Sequence, residues 1–352
     1  EFILPKNVKK IGKKALFECH KLQKFEIEKG SKLKSLPELL FSYSQSLKTI
    51  IIPEISSIQR IEAEAFRETL LESLFLPETV QELEEGWCKS TINLKEVKVS
   101  PRNKYFKYLD KNHQIIIRRS DPNKENFDTI AFACRGIECA TIPKTIKYID
   151  SYAFENCERL KCIKIPEDSE MKSFPIDLFR CSSLESFSIL PSIEKSKVNK
   201  NYKYLDEHNE IIVKKSNPNS SEFDTVFFAN RSIEYAFILK SIKFIESTAF
   251  YRCKCLECVE FSEDSELQKI SKFAFYSSTI QSIKIPKSVC EIGVDAFFQC
   301  YQLQEVIIEE GSKLEEISAN LFYECNDLTI IHLPEDCSLK KISSAPFCET
   351  LI

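Results

Sequence analysis

From Pro143 onward the apolar residues fall at Ile146, Ile149, Ala153, Phe154, Cys157, Leu160, Ile163 and Ile165, with mostly polar residues between them and a closing Pro166. The pattern is P-x2-I-x2-I-x3-A-F-x2-C-x2-L-x2-I-x-I-P, 23 residues to the next Pro. Pro5, Val8, Ile11, Ala15, Leu16, Cys19, Leu22, Phe25 and Ile27 hold the same offsets, as do Pro286, Val289, Ile292, Ala296, Phe297, Cys300, Leu303, Val306 and Ile308. The alternating I-x-I ending predicts a short strand, often closed by a Pro that cannot donate to a ladder. The I-x2-I-x3-A-F stretch has the spacing of a short helical or 3-10 turn laid on the opposite side. One such unit cannot bury its own apolar face, so neighbours must stack. The expected fold is an α/β repeat solenoid with a parallel β-sheet on its concave face and short helical or 3-10 turns opposite.

The last apolar residue of each predicted strand falls at Ile27, Ile52, Leu76, Val99, Ile142, Ile165, Ile189, Ile238, Phe261, Ile285, Ile308 and Leu333. Most steps are 23 to 25 residues; Val99 to Ile142 and Ile189 to Ile238 are longer and hold insertions, at about 103–135 and 199–231. The two longer stretches are copies at a constant offset of 96. Lys107-Tyr108-Leu109-Asp110 returns as Lys203-Tyr204-Leu205-Asp206, Arg135 as Arg231, and Cys157 and Cys162 as Cys253 and Cys258. Their Tyr-rich and Ile-rich runs around a polar turn predict a β-hairpin projecting from the solenoid. At 352 residues, length alone suggests about two domains; the repeat instead predicts a single array over 1–352. Both ends cut into the pattern without the polar caps a solenoid needs, so a fragment of a longer array is expected, able to self-associate through its open ends.

Composition narrows function. Lys+Arg 49 against Asp+Glu 53, with formal net charge -4, lacks the basic excess of a nucleic-acid binder. No apolar run reaches the length of a transmembrane segment. Six glycines leave no phosphate-cradling loop, and no cofactor is expected. The four histidines, His20, His113, His208 and His332, are scattered over different units without a Ser-His-Asp or Cys-His constellation, so no catalytic residue is assigned. Cys253, Cys255 and Cys258 form a C-x-C-x2-C, but Cys253 and Cys258 are repeats of Cys157 and Cys162 and no His lies near, so no metal ligand is assigned either. Cys19, Cys157, Cys253, Cys300 and Cys325 share one template position and are expected to be buried, reduced core thiols.

The template, covering essentially the whole chain, resembles the BspA-like leucine-rich repeats, and segments such as Glu85-Gly86-Trp87-Cys88, Glu167-Asp168-Ser169-Glu170 and Asn126-Phe127-Asp128 resemble their protozoan branch. Leu239 departs from the template Pro and Leu16 from the template Phe. The resemblance implies a curved solenoid, a cell-surface antigen or adhesin that engages host or cell-surface proteins, and no catalysis. Fifteen cysteines with few plausible disulfides point instead toward an intracellular, cytoplasmic scaffold in a cytoskeletal or regulatory assembly.

Side chains alternate along a strand, so the middle residue of I-x-I faces outward. Those positions read Glu26, Ile51, Phe75, Lys98, Thr141, Lys164, Ser188, Phe237, Glu260, Lys284, Ile307 and His332. Ile51, Phe75 and Phe237 are candidate protein-binding residues there. Tyr105, Phe106, Tyr108, Tyr202 and Tyr204 are candidates on the hairpins, because aromatic residues dominate binding hot spots. The partner is a protein of unknown identity.

Overall fold

The computed structural model describes residues 1–121, 123–171, 174–175, 178, 184–190 and 201–352. The start of the second insertion, at 199–200, lies outside them. The chain divides into two compact units, Glu1–Lys161 with Ser169–Ser183 and Cys162–Asp168 with Leu184–Ile352. Each has its own apolar core, one running from Leu4 to Cys134 and the other from Ile211 to Leu328.

Three ladders tie successive coils within a unit. The first is the main sheet. In the first unit Phe2–Leu4, Lys24–Ile27, Thr49–Ile51, Ser73–Leu76 and Glu96–Val99 pair in parallel. In the second, Tyr235–Ile238, Cys258–Phe261, Ser282–Ile285, Glu305–Ile308 and Ile330–His332 do the same. Burial alternates along these strands as the template requires: in Ser282–Ile285, Ile283 and Ile285 are buried and Ser282 and Lys284 exposed. The second ladder joins two-residue strands, such as Ser35–Leu36, Arg60–Ile61 and Glu82–Leu83, whose inward Leu36 and Ile61 are fully buried.

The third ladder corrects the expected helical turn. No α-helix occurs among the described residues. The A-F segment is a tight turn flanked by two left-handed residues four apart: Glu64 and Glu68 at φ 53 and 54, Thr248 and Arg252 at 65 and 53, Asp295 and Gln299 at 58 and 58. A left-handed residue breaks a right-handed helix and strains a non-glycine by about 1–2 kcal/mol. The strain is offset because alternate N–H groups donate to the next coil instead of back along their own. Phe273 N–H donates to Val294 O, Phe275 N–H to Ala296 O and Ser277 N–H to Phe298 O, and the next coil repeats this with Asp295, Phe297 and Gln299. The I-x2-I-x3-A-F spacing mimics a helix, but its donors are spent between coils. In one coil Gly86, at φ 64, supplies this conformation with glycine.

Inside each turn the template Phe stacks on its neighbours. Phe250, Phe275, Phe297, Phe322 and Phe347 follow at centroid spacings of 4.8, 5.0, 5.6 and 6.0 Å with near-parallel planes. The spacing of strands in a sheet, about 4.8 Å, sets this distance.

The insertions extend the second ladder. In the first unit Thr129–Ala133 pairs in parallel with Tyr148–Ile149, then antiparallel with Ile115–Arg118, which pairs antiparallel with Phe106–Tyr108. The second unit repeats this with Thr225–Ala229, Phe244–Ile245, Ile211–Lys214 and Tyr202–Tyr204, including the same register shift, at Ile116/Ile117 and Ile212/Val213. These strands do not project. Ile115, Ile116, Ile117 and all of Thr129–Ala133 are buried, because the inserted strands complete a sheet rather than lie on one.

Candidate functional site

The interior of the coils is chemically closed. Cys157, Cys253, Cys300 and Cys325 are fully buried free thiols, and Cys19, in the first coil, is half-buried. Their place is taken in other coils by Ser44, Thr69, Thr91 and Ser278. That exchange shows what the position does. Ser44 Oγ donates to Leu16 O at 2.8 Å, Thr69 Oγ1 to Phe66 O at 2.9 Å, Cys300 Sγ to Phe275 O at 3.0 Å and Cys325 Sγ to Phe297 O at 3.1 Å. The residue is a small buried donor that satisfies a turn carbonyl, a finer role than that of an apolar filler. The alternation of Cys with Ser and Thr was a sequence signal for it. Burial pushes the Cys253 and Cys157 thiols up, and Cys88 to about 12, so they stay protonated and are poor nucleophiles. Of the C-x-C-x2-C, Cys253 is buried, Cys255 exposed and Cys258 half-buried. Cys139 and Cys162 are each disulfide-bonded, whereas Cys258, the copy of Cys162, is free.

Of the hairpin candidates, Phe106 and Tyr202 are buried, 1% and 4% exposed, and offer no surface to a partner. They belong to the inserted sheet, which packs them inward. Tyr108 and Tyr204 are half-buried and have an internal task. The Tyr108 hydroxyl accepts from Val99 N–H at 3.0 Å and donates to Val97 O at 3.1 Å; the Tyr204 hydroxyl accepts from Ile189 N–H at 2.8 Å. Each thus hydrogen-bonds a strand of the main-sheet type with a phenol. Tyr105 is half-buried against the first core. At the same position in both copies a buried arginine bonds turn carbonyls: Arg231 Nη1 donates to Ala229 O and Ala249 O at 3.2 and 2.9 Å, and Arg135 Nη1 to Ala133 O and Ala153 O at 3.4 and 3.3 Å.

Ile51 is 38% and Phe237 45% exposed on the outer face of their main sheets, and Phe75 is half-buried. The two faces differ in charge. On the first, Lys24 pairs with Glu26 at 2.9 Å and Lys98 with Glu96 at 3.4 Å. On the second, Lys284 pairs with Glu309 at 2.8 Å and His332 with Glu305 at 2.9 Å, while among the described residues Glu260 and Glu263 form no ion pair. The Tyr235 hydroxyl instead donates to Glu260 at 2.7 Å, and that bond holds the phenol proton, raising it to about 12. Burial would raise the Glu309 carboxyl, but Lys284 and the Lys287 N–H at 3.0 Å outweigh it and hold it below its usual range.

The second face also opens. Tyr235–Ile238 and Cys258–Phe261 pair along four residues, and Ser282–Ile285 with Glu305–Ile308 along four. Between them, Cys258–Phe261 and Ser282–Ile285 pair only at Cys258↔Ser282 and Val259↔Ile283. Beyond that point lies a cleft of about 540 Å³ lined by Glu260, Phe261, Ser262 and Glu263 on one bank and Lys284, Pro286 and Glu309 on the other. Phe261 stands where the template has Ile and Ser262 where it has Pro. Phe261 is half-buried, whereas the equivalent Ile285 is fully buried. A smaller cavity of about 210 Å³ in the first unit, beside Trp87, is lined in part by Arg118, which binds Asp150 through two contacts of 2.6 and 2.7 Å.

The stacked parallel coils, with short strands on one side and turn ladders on another, define a leucine-rich-repeat β-solenoid. The description "BspA type Leucine rich repeat region" matches six copies over residues 1–113, 102–217 and 221–351, and the chain belongs to that family. No curated protein matches it in sequence. Among solved structures it is similar to a leucine rich cell surface protein of Faecalibacterium prausnitzii, with 19% identity over 91% of this chain and 62% of that one at a TM-score of 0.43. A leucine-rich repeat protein of Eubacterium ventriosum shares 15% identity over 99% of this chain and 82% of that one, TM-score 0.46. The pneumococcal vaccine antigen PcpA shares 16% over 99% and 78%, TM-score 0.40. This chain therefore spans less than two thirds of the length of the first of these relatives.

Proposed function

We propose that the protein is a non-enzymatic scaffold at the cell surface whose solenoid presents side chains to other proteins. Both units carry the same repeat, so they are taken as one array of 1–352 with a shared role. The observation that carries the reading is the contrast between inside and outside. Interior positions stay apolar or small from coil to coil, while the outer face of the main sheet changes at every strand and exposes Ile51 and Phe237 where solvent favours polar residues. A preformed surface of this kind makes many distributed contacts with little rearrangement. Ile51, Phe75 and Phe237 are the contact residues, with Tyr105, Tyr108 and Tyr204 at the margins of the inserted sheets. The cell-surface setting rests on the family resemblance.

A photo-crosslinking residue at position 51, 75 or 237, introduced into the full-length protein in its own cells, tests this. Crosslinks to specific proteins that label on intact cells are expected. Crosslinks confined to cytosolic proteins would move the scaffold inside the cell, a setting favoured by the twelve free cysteines among the described residues. An absence of crosslinks at all three positions would overturn the protein-binding reading.

A further inference from the structure

We propose that the cleft between Cys258–Phe261 and Ser282–Ile285, together with the apolar strip on Tyr235–Ile238, binds a partner-protein segment that presents a lysine or arginine beside a large apolar side chain. The inference rests on the protein-binding reading above and names the partner chemistry of one face.

Three independent features meet there. The strip is apolar and exposed: Tyr235, Phe237 and Leu239 alternate along the first strand of the second main sheet at 49, 45 and 42% exposure. Alternate residues on a strand lie about 6.7 Å apart on one face, the spacing of alternate side chains in an extended partner. Phe237 stands directly across from Glu260, so apolar and acidic groups are neighbours on the surface. The charge is unbalanced toward acid. Lys284 is the one lysine lining the cleft; it pairs with Glu309 and also feels Glu263, so Glu260, Glu263 and Glu309 leave an acidic excess there. A cleft with walls of low dielectric strengthens the attraction of such carboxylates for a cation. The cavity has room, since about 540 Å³ lies within the range of specific ligand sites and exceeds a single side chain. The aliphatic stem of a lysine or arginine would lie along Phe261 while its head reaches Glu260 and Glu263. The first unit's face has exposed Ile51, but its lysines are matched by its glutamates.

The test is selection of displayed random linear peptides on the full chain, followed by anisotropy titration of an enriched peptide made synthetically. Enriched peptides should carry Lys or Arg within two residues of Phe, Tyr, Leu or Ile. Glu260→Lys/Glu263→Lys should weaken binding by at least about tenfold, and Phe237→Ser by a similar factor. Glu26→Lys/Glu96→Lys adds the same charge to the first unit and should change affinity less than about twofold, which separates local recognition from the overall field. All these side chains but Glu26 are exposed, and circular dichroism confirms that each variant folds. Neutral or acidic enriched peptides, or an affinity unmoved by both second-unit variants, would overturn the inference. A peptide lost only with Ile51→Ser/Phe75→Ser would do so as well, while leaving the protein-binding reading intact. Enrichment of no peptide also counts against the cleft, and the crosslinking experiment then judges the broader reading alone.

Discussion

The two units share an interior and diverge outside it. The position after the template Phe reads Phe17, Ser42, Arg67 and Lys89 in successive coils of the first unit and Tyr251, Tyr276, Phe298 and Tyr323 in the second. In the second these rings form an outer stack at 5.2, 5.1 and 4.9 Å, beside the inner one. In the first, Arg67 sits instead over the Tyr43 ring at 5.1 Å and Lys89 over Tyr152 at 4.7 Å. The main-sheet faces diverge likewise, one internally neutralised and one apolar and acidic. What stacking demands is held constant, because every coil must match the next at about 4.8 Å. What faces water is released from that demand, so the difference between units sits where a partner would touch.

The largest effect should fall where the units agree. Phe275→Ala and Phe66→Ala each remove a fully buried ring and should cost about 3–5 kcal/mol in urea unfolding. A gap between the two of more than about 2 kcal/mol would break the idea of a shared interior. Next come the phenol caps. Tyr108→Phe and Tyr204→Phe should each lose about 1–2 kcal/mol and speed amide exchange at Val99 and Ile189 respectively. Exchange unchanged at both amides would mean that the hydroxyls protect nothing.

The donor position is a subtler test. Cys300→Ser keeps a donor for Phe275 O and should change stability by less than about 1 kcal/mol, whereas Cys300→Val removes the thiol bond, leaves that carbonyl only the Ser278 N–H and should cost about 1–2 kcal/mol. Equal behaviour of the two would return the cysteine to the role of filler. The smallest effect concerns Lys284 and Glu309. Glu309 titrates lower folded than unfolded, so its contribution is complete above the unfolded carboxyl value near ~4.3 and is lost as pH falls through the folded one. Lys284 titrates higher when folded, so its contribution is complete below its unfolded value and fades as pH rises through the raised one. With Lys284 largely exposed, the pair is worth under about 1 kcal/mol. Lys284→Met should lower the neutral plateau by that amount and leave the acid end unchanged, so that the acid limb is flatter.

Much of the candidate site was hidden from sequence reasoning for identifiable reasons. Ile51 and Phe237 were legible because strand alternation fixes their direction. Phe106 and Tyr202 were misread as surface because a Tyr-rich hairpin looks the same whether it lies on a sheet or completes one. Tyr108 and Tyr204 became caps only once their phenols were seen on Val99 and Ile189. The cleft was invisible, since nothing local says that two strands stop pairing after two residues, although Phe261 and Ser262 at template Ile and Pro positions were a hint.

By itself the sequence determined the repeat length, the strand that ends each coil, the copied insertions and the buried places of Phe and Cys. These follow from periodic apolar positions, which carry the same physical demand in every coil. Only tertiary structure decided that the A-F segment is a left-handed turn rather than a helix, because its N–H groups find acceptors in the next coil and not along their own. It likewise decided which aromatic residues are caps and which are surface, and where the second face opens. Those outcomes depend on the partner that each backbone and hydroxyl group meets, and a partner 9 or more residues away leaves no local trace.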